Sequence, residues 1–200
     1  MGLRERKREQ TRQALTEAAV ALFAERGYDA TTIADIADRA GVSARTFFAY
    51  HPSKEHVLFC DHDEQLAGLT QHVATRAEHG LDTLAALRAW IMSLLDGVDL
   101  EEMAVSKDLR REVIDTTPVL AAHERQLMVG FELIMRAGIA EDLGEAEDDM
   151  RPRLVAATAA AALEATRAPE GVTYTPEEII RRLDQAFVFL RSGLDALASS

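Results

Sequence analysis

A single cysteine, Cys60, leaves this chain of 200 residues without any disulfide of its own, and a reducing cytoplasm is the simplest expectation. Long apolar runs are missing too. Nothing approaches the ~20 residues that cross a bilayer, so no membrane partner is expected. The opening MGLRERKREQTRQ is basic but lacks the apolar stretch of a signal peptide. Strand-length alternation and internal repeats are both absent, which leaves an all-α chain. No G-x-S-x-G, P-loop or H-E-x-x-H occurs, so neither enzymatic activity nor a cofactor is expected. His56, Cys60 and Glu64 recur at i, i+4 and i+8, but Glu64 is a weak third ligand and no fourth is visible, so no metal is expected. Cys60 also lacks the resolving cysteine and the neighbouring basic cluster of a redox switch.

What is present starts with 48% hydrophobic residues, enough for a real core, and 28% charged residues, typical of a soluble protein. The net charge of −12 is unevenly placed. Residues 1–60 hold nine Lys/Arg and eight Asp/Glu, a net of +1, which leaves −13 for the remainder. An anionic polymer would be repelled by that remainder and would meet the N-terminal end, where the basic arm lies.

The segment TTIADIADRAGVSARTFFAYHPSKE, residues 31–55, carries the punctuation of two short helices and a tight turn. Thr32 with Asp35 makes an aspartate version of the capping box. Ile33, Ile36 and Ala37 supply an apolar stripe, and Gly41 stands where the chain leaves a helix with positive φ. Ser43 caps a second helix that Pro52 terminates, and Ser53 caps the start of a third. Two helices joined by a short glycine turn are the helix-turn-helix unit, whose second helix enters the DNA major groove.

Periodicity predicts a first helix from about Glu9 to Arg26 and a long one from about Ser53 to His79, ending at Gly80. Further helices are expected around Leu84–Leu94, Leu100–Val113 and Pro118–Ile139, with the acidic run Glu141–Asp149 as an exposed loop. Arg153–Arg167 is rich in alanine, which favours close helix packing. Thr175, Pro176, Glu177 and Glu178 are a helix start signal, followed by an apolar face from Ile179 to Leu197. Ile180, Val188 and Phe189 widen that face beyond one contact surface, so the last two helices are expected to form a homodimer. Trp90, Met103, Phe131 and Met135 fall on inner helices of this second part. Met-rich and aromatic linings suit adaptable apolar pockets and plain cores equally. His123 joins them as a candidate for an effector contact or a hydrogen-bonded core residue.

The order LF, GY, TTI, IA, AGVS and SKE within LTEAAVALFAERGYDATTIADIADRAGVSARTFFAYHPSKEHVL resembles the TetR/AcrR family of bacterial transcriptional regulators. The resemblance implies a three-helix DNA-binding domain, 1–53, and a helical effector-binding and dimerisation domain, 54–200. It implies that Thr32 meets a phosphate, and that Ser43, Ala44, Arg45 and Thr46 form the exposed start of the recognition helix. Arg45 suits guanine, because its planar fork matches O6 and N7. Ala44 suits a thymine methyl or nothing at all. Tyr50 and Lys54 match backbone contacts. Phe47 reads as core, while Phe48 faces either way. His51 departs from the family, which usually has an aromatic, mostly Phe, before Pro52; a satisfied, half-buried histidine is expected there rather than a pH sensor. The function implied is a repressor released from palindromic, double-stranded operator DNA by a small hydrophobic or amphipathic effector. The rival readings are a nonspecific nucleoid-type DNA binder and a helical enzyme using the C-terminal pocket.

Overall fold

A computed structural model describes residues 2–96, 109–169, 172 and 174–198. Among these residues the secondary structure is helical, without strands. The helices are α1 (Leu3–Arg26), α2 (Ile33–Arg39), α3 (Ala44–Tyr50), α4 (His62–Ala74) and α5 (Thr83–Leu95). They continue with α6 (described over 109–116), α7 (Pro118–Leu143), α8 (Met150–Ala165) and α9 (Pro176–Ala198). Two compact units result. The first holds the described residues of Met1–Asp61 and Ser106–Glu124, and the second those of His62–Val105 and Arg125–Ser200. This partition places 54–61 and a later segment with the N-terminal helices.

In the first unit, Leu15, Ala19, Leu22 and Phe23 of α1 are buried together with Ile36 and Ala37 of α2 and Phe47 of α3. α1 packs on α2, and α2 on α3. α1 begins at Leu3, two turns earlier than the apolar stripe alone indicates, so the basic arm is helical. The expected long helix over 53–79 is broken. A 3-10 turn (His56–Leu58) precedes α4, and a second (Arg76–His79) follows it before Gly80, whose φ of +66° ends the segment. The first break has a packing cause. Val57, Leu58 and Phe59 are three successive buried residues, which one face of an α-helix cannot hold.

In the second unit one cluster joins α4, α5, α7, α8 and α9 through Leu69, Val73, Leu87, Phe131, Met135 and Phe187, with further neighbours. Small residues set its spacing. A Cβ at Gly138 would lie 2.6 Å from Thr83 Oγ1 and 2.8 Å from Val73 Cγ1, so α7 approaches as closely as glycine allows. The alanine-rich α8 packs on α9, with Ala156 and Ala159 buried. α9 starts as its sequence signal indicates: Glu178 N–H donates to Thr175 Oγ1 (3.3 Å) and Thr175 N–H to Glu178 Oε2 (3.0 Å). Its Leu183, Phe187, Leu190 and Leu194 are buried, whereas Val188 and Phe189 are 67% and 64% exposed. α7 runs one turn beyond Ile139, which confines the acidic loop to 144–149. Leu100 and Met103, part of an expected helix, lie outside the described residues.

Candidate nucleic-acid interface

The first unit presents α2, a tight turn and α3. Thr32 caps α2 reciprocally: its Oγ1 accepts from Asp35 N–H (3.1 Å), and its own N–H donates to Asp35 Oδ2 (2.9 Å). The Thr32 hydroxyl also donates to Asp35 Oδ2 at 2.6 Å. Those bonds, the side-chain one foremost, hold the Asp35 carboxyl below its usual range. In the turn, Gly41 has φ +69°, and its N–H and that of Val42 return to Asp38 O (3.0 Å) and Ala37 O (2.9 Å). This arrangement closes the end of α2 and swings the chain into α3. Ser43 caps α3, its Oγ accepting from Thr46 N–H (3.1 Å) and lying 2.8 Å from Thr46 Oγ1.

α3 has two unlike faces. Phe47 is wholly buried, while Ala44, Arg45, Phe48 and Ala49 are exposed. Among the described residues, nothing pairs with the Arg45 guanidinium. The direction of Phe48, left open by the sequence, is outward at 56% exposure. Tyr50 is half-buried, and the Arg8 guanidinium of the basic arm lies 5.9 Å from its ring centre.

Lys54 is more deeply engaged than a simple phosphate contact requires. Its ammonium donates to Tyr28 O (2.7 Å) and Thr31 O (2.9 Å) and sits 3.8 Å from the Tyr28 ring centre. The Tyr28 hydroxyl donates to the Glu55 carboxylate, and burial followed by that bond pushes the phenol above its ordinary range. This brace ties the α1–α2 loop to the segment after α3. Its sequence signal was the coincidence of the GY and SKE motifs, but the pairing of two segments 26 residues apart was not readable from either.

His51 corrects the expectation of a satisfied, half-buried side chain. It is fully buried at the end of α3, its Nδ1 is 3.4 Å from His56 Nδ1, and its Nε2 has no hydrogen-bond partner among the described residues. Burial, then the charges of His56 and Arg12, lower its pKa to about 4. Cys60 also differs from expectation, since α1 supplies a basic neighbour: Arg12 Nη1 lies 3.4 Å from its Sγ, while Arg12 also pairs with Glu9 and Asp61. No group of three or more His, Cys, Asp or Glu suited to a metal occurs among the described residues.

The effector candidates separate. Phe131 and Met135 are buried in the second unit's cluster, and Trp90 packs against it at half exposure. His123 belongs to the first unit, where its ring centre is 5.1 Å from that of Phe59. Met103 lies outside the described residues. Surface clefts of the second unit are lined instead by residues of α7, α8 and α9, among them Leu133, Leu154 and Val188. Among the described residues, no helix is long and apolar enough to cross a membrane.

A capped helix-turn-helix whose second helix exposes an arginine defines a DNA-binding regulator. Comparison with known proteins agrees. The family model for bacterial regulatory proteins of the tetR family matches residues 15–59. MftR of Mycobacterium tuberculosis, a transcriptional regulator named for mycofactocin biosynthesis, is 30% identical over 199 residues, covering 96% of this chain and 95% of its own. The HTH-type transcriptional regulator TcmR of Streptomyces glaucescens is 33% identical over 163 residues, 78% of this chain and 71% of its own. The structure of Thermus thermophilus FadR, a TetR-family repressor in complex with lauroyl-CoA, covers 91% of this chain and 94% of that one, at 28% identity and a TM-score of 0.53. The chain belongs to the TetR family, and it is a DNA-binding transcriptional regulator.

Proposed function

We propose that this regulator is a cytoplasmic repressor, active as a homodimer, that leaves a palindromic operator when a small effector binds its second unit. The observation that carries the DNA half of this reading is the exposed α3 face with Arg45 unengaged among the described residues. Arg45 reads a guanine, and Ser43, Ala44 and Thr46 line the start of the same helix. Tyr50 contacts the backbone. Lys54 acts first as a brace and offers its remaining N–H to a phosphate. Thr32 meets a phosphate only by exchanging its hydroxyl bond to Asp35. Two copies of α3 would enter successive major grooves roughly 34–36 Å apart.

Dimerisation through α8 and α9 is supported by the apolar surface those helices leave uncovered, with Val188, Phe189 and Leu154 exposed. Placing a charge there by Phe189→Glu is expected to yield monomers in sedimentation experiments at micromolar concentration. An unchanged dimer would place the interface elsewhere. For the effector, Trp90, Phe131 and Met135 of the second unit are the candidate lining. The similarity to a lauroyl-CoA-binding repressor supports an amphipathic, acyl-bearing ligand. Such a ligand favours a dimer geometry that misplaces the reading helices, a coupling of about 1–3 kcal/mol that DNA must return with equal size.

The test begins with selection of bound sequences from a random DNA pool. A palindromic consensus is expected, and its absence would instead favour a nonspecific nucleoid-type binder. On the selected operator, Arg45→Ala is expected to cost about 1–3 kcal/mol and to relax preference at one position per half-site. A loss equal on operator and random DNA would remove Arg45 from base reading. Lys54→Met is expected to weaken all sequences alike; a salt slope reduced by about one would support a phosphate bond, and an unchanged slope the brace alone.

A further inference from the structure

Two helices of the second unit carry a stripe that the core does not use. On α7, Val129, Glu132, Leu133 and Arg136 follow the i, i+3, i+4, i+7 spacing of one helix face, apart from the buried Phe131 and Met135. On α8, Met150, Arg153, Leu154 and Ala157 repeat that spacing, apart from the buried Val155, Ala156 and Ala159. The two stripes line one groove, and Val129, Leu133, Met150 and Leu154 are exposed in it. A helix that is apolar on two faces is covered on two faces. Ridges of i, i+3 and i+4 side chains on both walls suit another helix. Each wall also carries a charge at the same step of its stripe, Glu132 on α7 and Arg153 on α8. Both are exposed, and neither side chain has an ion pair or hydrogen bond among the described residues. Arg136, by contrast, already faces Glu147 and Asp148, at 3.7 and 3.6 Å. In a twofold dimer any contact between two residues recurs with the copies exchanged. A groove that offers one free acid and one free base is therefore complementary to itself.

We propose that a second copy of the chain fills this groove, and that Glu132 pairs with Arg153 of the partner subunit, twice across the twofold axis. The inference rests on the dimer reading above and extends that interface from α8 and α9 to α7. Leu154 makes the two surfaces continuous, since it lines the groove and belongs to the exposed apolar surface of α8 and α9. The pairs act on partner choice more than on strength. An ion pair at an exposed rim contributes little, whereas like charges brought together there reject a chain with a different pattern.

Sedimentation velocity over a dilution series of the full chain gives the dimer dissociation constant of wild type, of Glu132→Arg, of Arg153→Glu, and of an equal mixture of the two variants. Each variant alone sets like charges against each other at both pairs, so its dimer is expected to weaken about tenfold. In the mixture, the arginine introduced at position 132 of one chain faces the glutamate introduced at position 153 of the other, and the native Glu132 and Arg153 face each other. Mixing is therefore expected to restore dimers to within about threefold of wild type. A pair formed inside one chain gives no such rescue. Variants that dimerise like wild type, or a mixture no stronger than its components, would overturn the proposal. A wild type that stays monomeric at every concentration removes the dimer itself. A wild type that dimerises, is broken by Phe189→Glu and ignores both charge changes removes the α7 contact alone. Far-UV circular dichroism of each variant separates a lost interface from a lost fold.

Discussion

Substituting Arg76 by methionine is expected to destabilise the second unit by about 3–5 kcal/mol, the cost of removing one partner from the largely buried Arg76–Asp142 pair. Arg76 is 7% exposed and joins three elements. Its Nε and Nη2 donate to Asp142 Oδ1 (2.9 Å) and Glu141 Oε2 (2.7 Å) at the end of α7. Its Nη1 and Nη2 also donate to the carbonyls of Val73 in α4 (2.7 Å) and Gly138 in α7 (3.2 Å). Burial alone would lower the guanidinium's pKa, but the Glu141 and Asp142 carboxylates outweigh it and hold it above its usual value. Asp142 is itself tied to α5, since it accepts the Thr83 N–H at 2.7 Å. Methionine fills similar space but takes the charge partner from Asp142 Oδ1 and the donor from Val73 O, while Asp142 Oδ2 keeps its bond from Thr83. Arg76→Lys is expected to recover part of the loss, because one ammonium cannot reproduce a five-donor fork. Urea unfolding followed by Trp90 fluorescence reports on this unit directly. A loss below about 1 kcal/mol for Arg76→Met would show that the cluster is solvated and of little consequence.

The second large effect is a loss of stability in acid, centred on His51. In the folded unit this ring titrates at about 4, because burial and the adjacent His56 and Arg12 disfavour its charge. In the unfolded chain a histidine titrates near 6.5. As the pH falls below about 6.5 the unfolded chain takes up a proton that the folded one refuses, so stability declines until about pH 4 and then levels off. The gap corresponds to about 3 kcal/mol across that window. The groups facing His51 are the rings of Phe47, Tyr50 and His56. His51→Phe is expected to remove this share of the acid sensitivity and to leave stability near neutral pH unharmed, since it also eliminates the unpartnered Nε2. Urea midpoints at pH 7.5 and 4.5, with NMR titration of the histidine C2 protons, provide the measurement. A His51 signal that titrates normally near 6.5 would refute the assignment.

These two residues mark where sequence and tertiary structure divide the work. The capping box of Thr32 and Asp35, the positive φ of Gly41, the Ser43 cap and the Thr175–Glu178 start of α9 were legible because each is decided within a few residues of chain. The family was legible for the same reason, its motifs being concentrated in one N-terminal stretch. The helix-turn-helix was therefore visible before any fold was known, down to the cap and the end of α3.

Contacts over long separations were not legible. The interruption of the expected helix over 53–79 follows from the need to bury Val57, Leu58 and Phe59 together, and no local propensity reports that. Lys54 looked like a phosphate ligand from its motif, yet carbonyls 23 and 26 residues upstream hold it. The sequence left His123 open between an effector contact and a core residue, and its ring lies against Phe59, which is distant in sequence.

The sequence by itself determined that this is a helical, DNA-binding member of its family, because caps, turns and motifs are short-range codes. Only the tertiary structure decided that His51 is buried with no partner for Nε2 among the described residues, that Phe48 faces outward and that a buried Arg76 pairs with Asp142 and Glu141. Burial is a property of what other segments cover, and a side chain's own neighbours in sequence do not specify it.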